Sequence, residues 1–200
     1  MKGSVIILSF FTMGLLFGRY THINEWLSGI DYSSLSLYLL MFLVGISIGS
    51  DTRSLQALKN MNLKILLIPT ATIVGTTIGV WFVSIFVARY SLKELMAVGA
   101  GYGYYTLSSI IIKNNHSDAL GVVALLSNVI REIITLLLAP IIAIYFGKIA
   151  PICSGGATSM DTTLPIISSA SGKEYAIPSL IHGIILTILV PFIVTLLLSL

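Results

Sequence analysis

The sequence predicts an all-α polytopic membrane protein with about 5–7 transmembrane helices and two segments that are broken by glycine or proline. Hydrophobic residues make up 56% of the 200 residues and charged residues only 10%, and mean hydropathy is +0.99. Soluble domains carry roughly 25% charged residues. Apolar runs long enough to span a bilayer, about 20 residues each, recur along the chain. We therefore expect a single integral membrane domain over residues 1–200.

Seven apolar segments are predicted, at residues 3–19, 34–50, 63–88, 94–112, 119–145, 149–167 and 175–199. The first resembles a signal peptide only superficially, because a single lysine precedes it and no small-residue cleavage site follows. With the N-terminus in the cytoplasm, six Lys or Arg residues fall on the inner side and four on the outer side. The positive-inside rule favours that orientation. Seven crossings place the C-terminus outside. Five crossings, which result if segment 149–167 and a neighbouring segment are re-entrant, also place it outside.

Two full charges, Arg131 and Glu132, lie near the midpoint of segment 119–145. A charge at the centre of a bilayer costs at least about 2.5–3.5 kcal/mol, and such residues are functional by default. On a helix they share one face with Asn128 and Thr135. We expect Glu132 to couple substrate and proton movement, with Arg131 setting its pKa or anchoring a neighbouring segment. The alternative is a structural pair between the two, although adjacent helical residues diverge by about 100°.

Segment 94–112 has glycines at three alternate positions, 99, 101 and 103. Each costs a helix roughly 0.8–1.0 kcal/mol relative to alanine, so we predict that the helix thins or breaks there. The region then forms either a close helix-packing surface or an unwound wall that binds substrate, composed of Gly101, Gly103, Tyr104, Tyr105 and Ser108.

Segment 149–167 contains two prolines, a Gly–Gly pair and many hydroxyl side chains, so it cannot face lipid. It is either a surface loop or a discontinuous element packed inside the protein. Asp161 either binds a cationic group or coupling ion, or caps the half-helix that follows the break. The neighbouring hydroxyl candidates for substrate binding are Thr158, Ser159 and Thr162.

His182 is the one histidine in segment 175–199, which is otherwise largely apolar. It could relay protons or contact substrate, since histidine titrates near neutral pH. The alternative is a buried neutral histidine hydrogen-bonded across helices.

Catalytic signatures are missing from the sequence, so we do not expect an enzyme. The single cysteine, Cys153, excludes an intrachain disulfide and a multi-cysteine metal site. The scattered Lys and Arg residues form no basic patch for nucleic acid. No cofactor is expected beyond a coupling ion, H⁺ or Na⁺.

Three blocks of sequence together resemble the LysO family of lysine exporters. They are Gly99-Ala-Gly-Tyr-Gly-Tyr-Tyr-Thr-Leu-Ser-Ser109, Leu126-Ser-Asn-Val-Ile-Arg-Glu132 and Gly155-Gly-Ala-Thr-Ser-Met-Asp-Thr-Thr-Leu-Pro165, followed by His182-Gly183. The resemblance implies a multi-pass inner-membrane exporter of L-lysine and toxic lysine analogues that exchanges substrate for protons. It also implies that Glu132 is one of the family's membrane-embedded acids. On this basis the expected domain over residues 1–200 is a transport domain.

Members of that family typically carry a further N-terminal membrane region with an embedded acid of its own. We find no counterpart of that region in this sequence and expect the chain to correspond to the C-terminal membrane portion of the family. The resemblance therefore implies a separate short membrane protein as a partner that supplies the N-terminal region. Two alternatives remain open: a sodium-coupled carrier of another organic ion, and a membrane subunit that is inactive without its partner. In the transporter reading, we expect half-helix N-termini near residues 101–104 and 156–160 to hold the substrate carboxylate.

Overall fold

A computed structural model describes residues 63–200, together with seven isolated helical, exposed positions at 13, 16, 35, 39, 42, 46 and 50. The chain separates into two compact units, Met1–Ser36 and Leu37–Leu200. Apart from the isolated positions, the predicted segments 3–19 and 34–50 lie outside the described residues. The single domain over residues 1–200 and the total number of spans stay predictions.

Residues 63–200 form helices and turns, without a strand, which confirms the predicted all-α class. Short 3₁₀ turns cover Leu63–Leu66, Gly156–Met160 and Lys173–Tyr175. The α-helices are α1 (Leu67–Ser84), α2 (Leu92–Gly99), α3 (Tyr105–Asn115), α4 (Asp118–Phe146), α5 (Ala150–Gly155), α6 (Leu164–Ser171) and α7 (Ala176–Ser199).

Three stretches of the described chain are long and apolar enough to cross a membrane: Leu67–Ser84, Asp118–Phe146 and Lys173–Ser199. They correspond to α1, α4 and α7 with its preceding turn. Their outer faces carry large, exposed apolar side chains, such as Ile144 (77% exposed) and Phe192 (68% exposed). Faces of this kind belong in lipid, where apolar exposure carries no hydration cost.

The predicted segment 94–112 is a helical hairpin. Helix α2 begins at a capping box between Ser91 and Glu94, and the chain unwinds after Gly99 before α3 begins. The Glu94 carboxylate lies 3.1 Å from His116 Nε2, just beyond the end of α3. A continuous helix would hold residues 94 and 116 about 33 Å apart. The predicted break is therefore present, and the chain turns back there to the side from which it came.

The predicted segment 149–167 is also a hairpin, built from α5, the Gly156–Met160 turn and α6. Lys148 Nζ, just before α5, donates to the Ala170 carbonyl near the end of α6 at 3.1 Å. Residues 155–159 at its tip are buried. Of the two alternatives, the structure therefore has the discontinuous element packed inside the protein and not the surface loop.

The two hairpins enter from opposite ends of the long helices. Helix α4 has 29 residues, about 43 Å of helix, and it joins the end of the first hairpin to the start of the second. Helix α7 returns, so that the Leu200 carbonyl accepts a 2.6 Å hydrogen bond from Lys93 at the start of α2. The order is helix, hairpin, helix, hairpin, helix. Helix α1 and the first hairpin form one unit, and α4 and the second hairpin form another. The two units run in opposite directions, which is an inverted-topology repeat.

The tips of the hairpins meet. Ala157 N–H in the second tip donates to the Tyr102 carbonyl in the first, at 2.7 Å. Gly156 lies beside this bond with φ of +64°, and a methyl group there would collide with the Tyr102 carbonyl. A methyl group on Gly183 of α7 would likewise lie only 2.7 Å from the Ala157 carbonyl oxygen and from the Met160 backbone nitrogen. The meeting point is thus held by backbone contacts that leave no room for side chains.

Replacing Gly156 with alanine should prevent the tips from meeting. The left-handed backbone alone costs about 1–3 kcal/mol for a residue with a Cβ, and the collision adds to it. We expect Gly156→Ala to lower the thermal midpoint of the purified protein in detergent.

Gly75→Ala in α1 is the matched control. No described atom lies within 4 Å of the added methyl, and alanine stabilises a helix by roughly 0.5–1 kcal/mol over glycine. The same thermal midpoint for Gly156→Ala and Gly75→Ala would contradict the backbone contact between the hairpin tips.

Candidate functional site

Asn128 of α4 fastens the first hairpin at its break. Its Oδ1 accepts from Gly103 N–H at 2.7 Å, and its Nδ2 donates to the carbonyls of Val98 at 3.2 Å and Ala124 at 2.8 Å. The side chain is buried and satisfies backbone groups that the unwound glycines leave unpaired. Asn128 therefore holds the break open in a defined geometry.

Arg131, one turn further along α4, fastens the second hairpin. Its Nε donates to the Ser154 carbonyl at 2.9 Å, and its Nη2 donates to the Cys153 carbonyl at 2.8 Å. Nη1 reaches Thr76 Oγ1 of α1 at 3.3 Å. The Thr135 and Ser154 hydroxyls lie 2.7 Å apart and add a further link. The polar face predicted on α4 thus binds both broken segments through Asn128, Arg131 and Thr135.

Glu132 belongs to a different environment from that of Arg131. No ion pair or hydrogen bond joins the two side chains in the part of the chain that the structure describes. The partly buried Glu132 instead faces a cavity beside the hairpin tips. The structural pair is therefore absent, and of the two roles expected for Arg131 the geometry matches the anchor.

The cavity has a volume of about 270 Å³, close to the lower end of the roughly 300–1,000 Å³ range of ligand pockets. It is lined by both hairpin tips and by α3, α4 and α7. The lining residues are Gly103, Tyr104, Tyr105, Thr106, Glu132, Ala157, Thr158, Met160, Asp161, Thr162 and Thr187.

The charge of this lining is one-sided. Two carboxylates, Glu132 and Asp161, face the cavity, and no Lys, Arg or His is among its lining residues. Hydroxyl groups supply the remaining polar atoms. The N-cap residue of α3, Tyr104, makes no side-chain capping bond, so the first N–H groups of α3 lie at the cavity wall without a side-chain acceptor. The site can therefore hold a cation, and an anionic group beside it at α3.

Asp161 does not cap the second half-helix. Its Oδ1 accepts from the N–H of the next residue, Thr162, at 2.6 Å, whereas α6 begins at Leu164 with Thr163 as its N-cap. Asp161 is exposed to the cavity. The capping alternative is therefore not what the structure shows, and the alternative in which Asp161 binds a cationic group or a coupling ion stays a prediction.

The predicted site residues divide into two groups. Those that line the cavity are Gly103, Tyr104, Tyr105, Glu132, Thr158, Asp161 and Thr162. Those that lie behind it are Gly101, Ser108, Asn128, Arg131, Ser159 and His182. Gly101 packs so closely on Asn128 and Ser108 that a methyl group there would collide with both. Gly101 and Ser108 thus follow the packing alternative.

His182 is buried in a network of hydroxyl groups. Its Nε2 lies 2.9 Å from Thr72 Oγ1 of α1, and its Nδ1 lies 2.9 Å from Ser159 Oγ. Ser159 also donates to the Ser179 carbonyl at 2.8 Å. His182 thus has the geometry of the alternative reading, a histidine hydrogen-bonded across helices, and it fixes α7 to α1 and the second tip.

Four lining residues were not predicted: Thr106, Ala157, Met160 and Thr187. Thr187 could have been found from the sequence, because it is one of few hydroxyl residues within the apolar run of α7. Thr106 follows the two tyrosines directly. Ala157 and Met160 carry no chemical signal, and they line the cavity because the 3₁₀ turn brings them to its wall.

Comparison with known proteins identifies relatives over nearly the whole chain. Residues 8–198 match the family described as Lysine exporter LysO. The Lysine exporter LysO of Escherichia coli (strain K12) is 29% identical over 165 residues, which cover 82% of this chain and 54% of that protein. The Putative lysine exporter of Haemophilus influenzae (strain ATCC 51907 / DSM 11121 / KW20 / Rd) is 28% identical over 188 residues, 94% of each chain. This chain thus spans about half the length of the E. coli relative. No solved structure matches the chain.

Removing the Asn128 amide should loosen the first hairpin. An Asn128→Ala variant leaves the buried Gly103 N–H without its partner, at a cost of about 1–3 kcal/mol. It also removes one of the two hydrogen bonds to the Val98 carbonyl, which still accepts from Gly101 N–H. We expect a lower thermal midpoint and faster hydrogen exchange at the 99–105 break.

Asn114→Ala is the control, because Asn114 is exposed near the end of α3. Unchanged exchange at the break in Asn128→Ala would show that the amide does not hold it.

Proposed function

The chain belongs to the lysine exporter LysO family, and on that premise we propose that it is a secondary active exporter of L-lysine and lysine analogues that exchanges substrate for protons. The observation that carries the proposal is the cavity at the hairpin tips, where Glu132 and Asp161 face a lining without a basic side chain. A cationic amino acid complements that charge, and an anionic substrate would be repelled.

Lysine has three charged groups, and the cavity offers a partner to each. The α-amino and ε-amino groups pair with the two carboxylates. The α-carboxylate lies at the N-terminus of α3, where the first-turn N–H groups and the positive end of the helix dipole favour an anion. Of the two half-helix N-termini expected to hold it, this proposal uses the one near residues 101–104. The tyrosine and threonine hydroxyls complete the shell.

Proton exchange follows from competition for the same carboxylates. Glu132 has neither a hydrogen bond nor an ion pair to another group in the described part of the chain, so its carboxylate is available to a ligand. When lysine leaves, a proton replaces its cationic group and keeps the cavity close to neutral. An empty cavity with two bare carboxylates is unfavourable in a membrane interior, which links lysine release to proton uptake.

The position of the cavity suits alternating access. It lies where two hairpins from opposite sides meet, and inverted repeats place the substrate sites of many transporters at the repeat interface near the midplane. A shift of either tip relative to α4 would open the cavity toward the side from which that hairpin enters. We propose that the chain resides in the inner membrane with its N-terminus in the cytoplasm, so that lysine leaves the cell as protons enter.

Neutralising either cavity carboxylate should impair coupled export without unfolding the protein. We expect Glu132→Gln to lower lysine efflux at least tenfold, because the carboxylate contributes both a substrate contact and the exchangeable proton. Asp161→Asn should weaken lysine binding more than it lowers the maximal rate. Efflux of labelled lysine from proteoliposomes, with the external pH lowered, measures both.

Asp118→Asn is the matched control on the same helix, since Asp118 is 83% exposed at the start of α4. Wild-type efflux by Glu132→Gln at equal protein levels would contradict the carboxylate mechanism. Parallel assays with and without a co-expressed short membrane protein test the proposed partner, which we expect to raise export by the wild-type chain.

A further inference from the structure

The C-terminal end of α5 presents a set of carbonyl groups toward the centre of the protein. The last four carbonyls of a helix lack partners within it. Here the Ile152 carbonyl accepts from Gly156 N–H, and the Gly155 carbonyl accepts from the Thr158 hydroxyl. The remaining two, of Cys153 and Ser154, accept only from Arg131 among the bonds that the structure describes. A cationic side chain from another helix therefore completes this end of α5.

The hydrogen-bond partners of the guanidinium group are oxygen atoms, and none of them belongs to a carboxylate. Besides the two carbonyls, its contact is the Thr76 hydroxyl of α1. No acidic side chain pairs with Arg131 within the described residues. The negative end of the α5 dipole is the nearest compensation for its charge. A carbonyl cluster at a broken helix, supplemented by a threonine hydroxyl, is the kind of shell in which broken-helix transporters hold a coupling Na⁺.

Arg131 also lies at the meeting point of the hairpin tips. A methyl group on Gly156 would be 3.5 Å from its Cζ atom, and Gly156 adjoins the bond between Tyr102 and Ala157. Through Arg131, α4 is connected to α1 and to the second hairpin at one point. A cation at this point therefore stabilises the contact between the second hairpin and its neighbours.

From this geometry we propose that Arg131 is a tethered cation which fills the position of a coupling metal ion. Its guanidinium occupies the carbonyl end of α5 permanently, so Na⁺ has no site there and transport does not depend on it. The efflux measurements that test this inference rest on the proposed transport function, whereas the stability measurements do not. It assigns Arg131 as a positioning residue for the second hairpin, apart from the cavity carboxylates that bind substrate.

A neutral hydrogen-bond donor would serve equally well if Arg131 only capped α5. The two explanations therefore differ in what a replacement side chain must supply. Capping alone requires a hydrogen-bond donor, whereas a tethered cation requires a positive charge. Under the tethered-cation proposal, Arg131→Lys retains part of the lysine efflux because it keeps the positive charge, while Arg131→Gln keeps donors and loses activity. Equal efflux by the lysine and glutamine variants would overturn the proposal.

Chemical rescue of Arg131→Ala gives the direct test. The truncated side chain leaves a vacancy at the carbonyls that free guanidinium can fill, and urea is a neutral molecule of nearly the same shape. We expect about 10 mM guanidinium chloride to raise the thermal midpoint of Arg131→Ala by about 2–4 °C, with no rise in the wild type. Urea at the same concentration should give no rise in either protein.

Three results of the rescue experiment would overturn the proposal. They are equal effects of guanidinium and urea on Arg131→Ala, an equal rise in the wild type, and no folded Arg131→Ala protein even in guanidinium. Wild-type lysine efflux that requires Na⁺ at constant pH would also overturn it. Absence of lysine efflux by the wild type would instead overturn the proposed function and leave the stability measurements to decide on Arg131.

Discussion

The structure depends on how α4 satisfies two broken helices at once. A broken helix inside a membrane leaves backbone N–H and C=O groups without partners, and each costs several kcal/mol in hydrocarbon. Asn128 supplies both a donor and an acceptor to the first break, and Arg131 supplies donors to the second. The two side chains are one turn apart, so a single helical face aligns both hairpins. The bond from Ala157 N–H to the Tyr102 carbonyl then joins the tips directly.

Function follows from the residue next to that face. Glu132 is adjacent to Arg131 in sequence, yet it points away from the carbonyl end of α5 and into the cavity. The helix therefore separates an anchoring cation from a carboxylate that can bind a ligand. If Arg131 were paired with Glu132, the cavity would lose an acid and α5 would lose its cap. The hairpin tips supply Asp161 and the hydroxyl groups, so the same breaks that need anchoring also form the binding surface.

Much of this was predictable from local sequence, because glycine spacing, proline and buried charge act locally. The alternation at Gly99, Gly101 and Gly103 predicted the first break, and the charges in segment 119–145 predicted a polar helix face on which Arg131 could anchor a neighbouring segment. Re-entry was expected only as an alternative, for segment 149–167 and a neighbour, because the return of each hairpin depends on distant contacts such as that between Lys148 and Ala170. Likewise, nothing local indicates that His182 meets hydroxyl groups from α1 and the second tip, or that Ala157 and Met160 line the cavity.

The central claim is that lysine and protons compete for the carboxylates of one cavity. It is tested most directly by counting the protons released when lysine binds to the purified protein in weakly buffered detergent solution. In a series of such measurements at different pH values, the wild type should release protons on lysine binding, and Glu132→Gln should release fewer. Lysine binding without proton release at every pH at which the protein stays folded would contradict the claim.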